Sequence, residues 1–154
     1  MTHVTRQVRD SVMAVLEGIP SLTGRVHRPA RLLRPFEQRE FPACCVSVGE
    51  TVSVATGDLG PGHRVLDRAL TVALRVVARG DVDESEDEID ALRVEIEKAL
   101  ARPPAGSGKL TLWRYQGDTG AEPQPTENGM QIAKTLTFTC TVRTTDTEPE
   151  TNIA

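Results

Sequence analysis

Three histidines, three cysteines, a glycine-rich run ending in lysine and an uneven set of charges are the features whose types and spacing could do chemistry. His3, His27 and His63 lie far apart, with no carboxylate at helical spacing to make a general base of any of them. Solvated or hydrogen-bonded rings are the plainer reading. Cys44, Cys45 and Cys140 form no CxxC or Cys/His spacing, and an odd count does not suggest a disulfide framework. Adjacent residues of a strand point to opposite faces, which suits Cys44 and Cys45 poorly as joint metal ligands, so free thiols, buried or half-buried, are expected. Gly106 to Lys109 reads GxGK, but the upstream glycine and the following Ser or Thr of a phosphate-binding loop are missing, and the run follows a helix rather than a strand. No nucleophile elbow, dinucleotide fingerprint or zinc spacing occurs. Nothing here names a catalytic residue, a metal or a cofactor.

The charges are distributed less evenly. Residues 81 to 100 hold nine acids against two bases, whereas residues 25 to 39 hold five arginines against one glutamate. Arg25, Arg28, Arg31 and Arg34 recur every third residue around Pro29 and Pro35, and three per turn is the polyproline II period, so an extended loop would show these guanidinium groups along one side. The competing reading is an irregular solvated loop without a fixed partner. Opposite patches on one small domain permit head-to-tail association into a closed ring. The candidate contact residues are Arg25, Arg28, Arg31, Arg34 and Arg39 in the loop, and Asp87, Asp90 and Glu97 on the acidic segment. Two polar loops add Asp58 and His63, and Asp118, Glu122 and Glu127. Fifteen of the 18 basic residues are arginine, which codon usage or bidentate pairing with carboxylates would each explain.

The element that must organise these groups is the stretch from Ser85 to Ala101. Ser85 with Glu88 spells a capping box, Ile89, Leu92, Ile96 and Leu100 form an apolar stripe, and Pro103 and Pro104 end the helix. A first helix is expected over residues 4 to 19, with Val4, Val8, Val12, Val15, Leu16 and Ile19 on its buried side. Strands are expected over 41 to 48, 51 to 55, 109 to 116 and 130 to 144, the last from the alternation of Met130, Ile132, Leu136, Phe138, Cys140 and Val142 with polar residues. Lys134 is its one break. Residues 64 to 78 satisfy both periods: Leu66, Leu70, Val72, Leu74 and Val76 share a strand face, with Arg68 as the exception, while Leu66, Ala69, Leu70, Ala73, Leu74 and Val77 also make a helical stripe. Residues 117 to 129 read as a polar excursion with little to pack, and the tail from 146 as frayed.

At 154 residues, 26% charged and 3% aromatic, the chain should hold one domain, residues 1 to 145, with an aliphatic core. The expected class is α+β: a two-layer sandwich of a mostly antiparallel mixed sheet with both helices on one face. The other face, with Thr135, Thr137, Thr139 and Thr141, is expected to meet water or another subunit. A net charge of -4 argues against a general nucleic-acid binder, and no apolar run approaches the roughly 20 residues of a membrane span. The opening MTHVTRQVRD is too polar for a signal peptide, so folding in the cytosol is expected.

Four stretches carry a family resemblance: FPACCVSVGETVSV at 41 to 54, HRVLDRALTVALRVVARG at 63 to 80, DEIDALRVEIEKAL at 87 to 100 and TLTFTCTVRTTDTEPE at 135 to 150. With the first helix, and in this order, the chain resembles the tail terminator proteins of long-tailed bacteriophages, the minor tail protein U-like or tail completion family. The resemblance implies a strand at 64 to 78 and a structural virion protein rather than an enzyme. It implies a hexameric ring on the head-proximal end of the tail tube that stops tube polymerisation and forms the docking surface for the head connector. Its partners would be further copies of itself, the tail tube protein and a neck or head-completion protein, with DNA passing through the lumen without specific binding and no membrane involved. The ring would be assembled in the host cytoplasm and retained in the virion. A neck or tube subunit of related fold, or an enzyme or small-ligand protein of the same class, are the alternatives.

Overall fold

A computed structural model describes residues 2–55 and 60–153. Helix α1 (Val4–Glu17) is followed by strands β1 (Val26–His27), β2 (Ala43–Val54) and β3 (Val65–Arg79), helix α2 (Ser85–Ala99), and strands β4 (Thr111–Asp118), β5 (Glu122–Thr126) and β6 (Gly129–Thr145). Short 3-10 turns occupy Pro20–Leu22, Pro29–Leu33 and Gln38–Glu40. The strands lie in the order β1-β2-β3-β6-β4, with β5 pairing the first part of β6 beside β4. β1 joins β2 in parallel; the other pairings are antiparallel. The α+β class and the placement of both helices on one face are as expected.

The doubly periodic segment is a strand because both of its edges are taken, by β2 on one side and β6 on the other. Leu70, Val72, Leu74, Val76 and Ala78 then point to the helix layer, where Val4, Val8, Val12 and Leu16 of α1 and Ile89, Leu92 and Ile96 of α2 close the main core. At the end of β3 the chain passes so close to its neighbour that a Cβ on Gly80 would lie 2.9 Å from the backbone of Gln131. Glycine alone fits that crossing.

Four local expectations are corrected. The capping box does not form at Ser85: Glu84 is the N-cap without a side-chain bond, and the Ser85 hydroxyl turns inward to donate to the Val82 carbonyl at 2.8 Å. Residues 117 to 129 are not a loose excursion, since Glu122–Thr126 pairs with the start of β6. Its two prolines are tolerated because β5 is an edge strand, where a missing N–H need not face a neighbour. The tail is not frayed. Gln7 Nε2 donates to the Glu150 carbonyl, Val4 N to that of Pro149, and the Asn152 amide to the carbonyls of Ser107 and Lys109, which ties the chain's end across the start of α1. Finally, the back of the sheet is not left wholly to water: Phe36, Ala43, Cys45, Val77 and Ala133 make a second buried cluster there, with Phe41 against it.

Candidate assembly surfaces

The basic loop is built around one arginine. Arg31 is nearly buried, 9% exposed at its side chain, and reaches Glu40 at 2.6 Å, the Arg34 carbonyl at 2.9 Å and the face of Phe36 at 4.1 Å. Planar guanidinium chemistry suits this combination of carboxylate, carbonyl and ring, and Phe36 in turn plugs the back cluster. The loop is therefore not a polyproline II display: Pro29 starts a 3-10 turn, and the period of three in the arginines comes to nothing. A capping box does form here, with the Glu40 carboxylate accepting from Glu37 N at 2.7 Å. Glu40 is held below the usual carboxylate range by that amide bond and, against the effect of burial, by Arg31. Arg25 is also spent internally, on the Phe41 carbonyl. Arg28 and Arg34 remain exposed, and exposed Arg39 pairs with Glu37 at 2.9 Å.

On the acidic helix the candidates divide as well. Asp87 is exposed, whereas Asp90 receives Lys134 at 3.1 Å and Glu97 receives Arg93 at 3.2 Å. Asp118 stands at the end of β4 between Arg93 at 2.8 Å and Lys134 at 3.3 Å, so the break in the β6 alternation is the cation that ties three elements together. Burial alone would raise the Asp118 carboxyl, but the Lys134 hydrogen bond and the Arg93 charge hold it below the usual range. Its contribution is thus present above the unfolded carboxylate value of about 3.9 and lost as pH falls through the depressed folded value. Asp118→Asn is expected to flatten the acid limb of a urea-midpoint profile from pH 7 to pH 2; an unaltered limb would assign the pair no part in stability.

Glu122 and Glu127 are exposed on the β5–β6 hairpin, and His63 is exposed at the bend leading into β3. Asp58 falls outside the described residues. The structure therefore brings Asp90, Glu97 and Asp118 together around Arg93 and Lys134, and it leaves Arg28, Arg34, Asp87, Glu122 and Glu127 on the surface. What sequence reasoning missed is apolar. Leu33 is 89% exposed, with Leu32 and Met130 about half as much, and Val52 and Val54 are open at the end of β2. An exposed leucine beside arginines reads as part of a polar loop unless its burial is known.

Strand β2 is buried only over its first four residues; from Gly49 to Val54 it is exposed, an arm at the sheet's margin laid along β3, which β6 pairs on its other side. β1 covers only Cys44 and Cys45, which leaves the outer edge of that arm unpaired among the described residues. Inside it Arg68, 8% exposed, donates to both oxygens of Glu50 at 3.1 and 3.0 Å and to the Thr144 hydroxyl at 3.0 Å.

Among the described residues, no group of three or more His, Cys, Asp and Glu is placed to hold a metal ion. All three thiols are buried and free, and burial pushes Cys45 and Cys140 up to about 11, with Cys44 higher still. They are protonated and inert at neutral pH. No helix is long and apolar enough to cross a membrane, among the described residues.

No family model and no curated protein matches the chain. Among solved structures, one chain of the "Virion of native gene transfer agent (GTA) particle" is similar at 19% identity, covering 92% of each chain with a TM-score of 0.43.

Proposed function

We propose that this chain is a structural virion protein, the subunit of a ring that caps the head-proximal end of a phage tail tube, ends its polymerisation and offers the docking surface for the head connector. The family resemblance of four ordered stretches supports the role. The observation that carries it is the arm: an exposed stretch of β2 laid along the more buried β3, with an edge that is open among the described residues and bears neither proline nor lysine between Gly49 and Val54. Isolated domains blunt such edges, whereas assembling ones cover them with another chain. Catalysis has no part in this reading; the surfaces serve contacts with copies, tube subunits and neck subunits.

Purified protein imaged by negative stain, alone and with tube subunits, is expected to show closed rings of about six copies that decorate one tube end. Val52→Lys with Val54→Lys, which places cations on the open edge, is expected to leave the monomer folded and to abolish rings. A chain that stays monomeric at every concentration and leaves tube ends bare would overturn the proposal. Open polymers instead of closed rings would reassign it to a tube subunit.

A further inference from the structure

The ring proposed above needs two different faces of the subunit to recognise each other, and the structure holds a matching pair. The first is a knob. Single exposed leucines are ordinary on protein surfaces, but Leu33 stands at the end of a 3-10 turn that Arg31 fixes from beneath, through Glu40, the Arg34 carbonyl and the Phe36 ring. It is held out rather than left out. Exposed Leu32 and Arg34 flank it, and Arg28 precedes the turn.

The second is an open groove of about 720 Å³ in the helix layer, between the turn Pro20–Leu22 and α2. Ile19, Pro20, Pro42 and Leu92 give it apolar walls, and Glu88 and Glu95 bring carboxylates to its lining. Arg25 also reaches it, but that guanidinium is already engaged by the Phe41 carbonyl. Of the carboxylates on α2, these two line the groove, whereas Asp90 and Glu97 are turned to Lys134 and Arg93. Knob and groove carry complementary charge around complementary apolar surfaces. They cannot meet within one molecule, because Phe36 anchors the knob's loop on the back of the sheet and the groove opens among the helices on the front.

We infer that Leu33 of one copy seats in the groove of the next, against Ile19 and Leu92, with Arg28 and Arg34 facing Glu88 and Glu95: a head-to-tail contact between copies of this chain. A heterologous contact of this kind closes into a ring when its rotation divides a full turn. The leucine supplies the affinity, and the charges select register and speed encounter, so association should weaken as salt is raised.

The inference rests on the ring reading, and its test separates the two. Leu33→Asp is expected to weaken self-association in sedimentation velocity by about 30-fold or more, the loss that accompanies truncation of an interface anchor. At concentrations where the parent is monomeric its melting should match the parent's, since the side chain then lies in water. Glu88→Arg is expected to weaken association likewise, and Glu88→Arg combined with Arg34→Glu to recover it. Leu33→Cys mixed with a separate Ala91→Cys preparation should give a disulfide-linked dimer on mild oxidation that neither gives alone. Rings that persist in Leu33→Asp at the parental affinity, with no mixed dimer, would overturn this contact and leave the capping role standing. A parent chain that never associates would overturn both.

Discussion

Phe138→Ala is expected to lower the unfolding free energy by about 3–5 kcal/mol, the range for truncating a fully buried aromatic side chain. The chain has only five aromatic residues, and three of them meet here. Phe138 is 1% exposed at the middle of β6, with the Trp113 ring 5.3 Å away and stacked, and the Tyr115 ring 4.9 Å away and tilted. Each such pair adds about 0.5–1.5 kcal/mol beyond its buried area. The Trp113 indole is itself pinned, donating to the Leu100 carbonyl at 2.7 Å, so the wall cannot easily collapse into the space left behind. Alanine would therefore leave a cavity and also release β4 from β6. Urea melts followed by the single tryptophan's fluorescence check this directly, and at this chain length each kcal/mol should move the melting temperature by about 2–4 °C. A loss below about 1 kcal/mol would show that the aromatic cluster is peripheral to stability.

Glu50→Ala is expected to cost about 3 kcal/mol, near the low end for stripping the partner from a buried charge. Arg68 has its guanidinium enclosed in the arm, and Thr144 satisfies only its Nε. Glu50 is 30% exposed at its side chain, so water can enter in its place and moderate the loss. The double change Arg68→Met with Glu50→Leu removes both charges together and should be far closer to the parent, because no uncompensated ion remains. A urea-melt cycle over the parent, Glu50→Leu, Arg68→Met and the double change measures the coupling. If Glu50→Ala and the double change cost the same, the pair contributes no more than its apolar stems. The pair also guards register: Arg68 lies opposite Val52 and Glu50 opposite Leu70, and a slip of β2 by one residue would turn Glu50 onto the face away from Arg68.

Residues whose burial follows from local period could be read in advance. The alternation from Ile132 to Val142, the stripe from Val4 to Leu16 and the stripe from Ile89 to Ile96 all give the faces that the structure buries. Segment 64 to 78 could not be decided from period alone, since its fate depends on pairing with two other strands, one of them, β6, remote in sequence. The start of α2 was misread because a cluster of acids offers several N-caps, and the chain uses Glu84 so that Ser85 can bond backward to Val82. β5 was invisible because proline at 123 and 125 opposes a strand assignment everywhere except on an edge, and edges are assigned only once the sheet is known. For the assembly surfaces the limit was similar. Charge runs showed where polarity accumulates, but not that Arg31 is interior while Leu33 is outside.

The pairing of β3 with β6 has a bearing on how the chain reaches this state. β2 and β3 are neighbours in sequence and can zip as soon as both are synthesised, but the strand that completes β3 is the last of the sheet, with α2, β4 and β5 made before it. Closing that seam is a non-local step, the kind that slows folding. Until it closes, a nascent chain on the ribosome carries β3 with one side unsatisfied, and early release or crowding at that moment favours misassociation through it. Slow docking of β6 thus lengthens the time for which β3 is exposed to such losses.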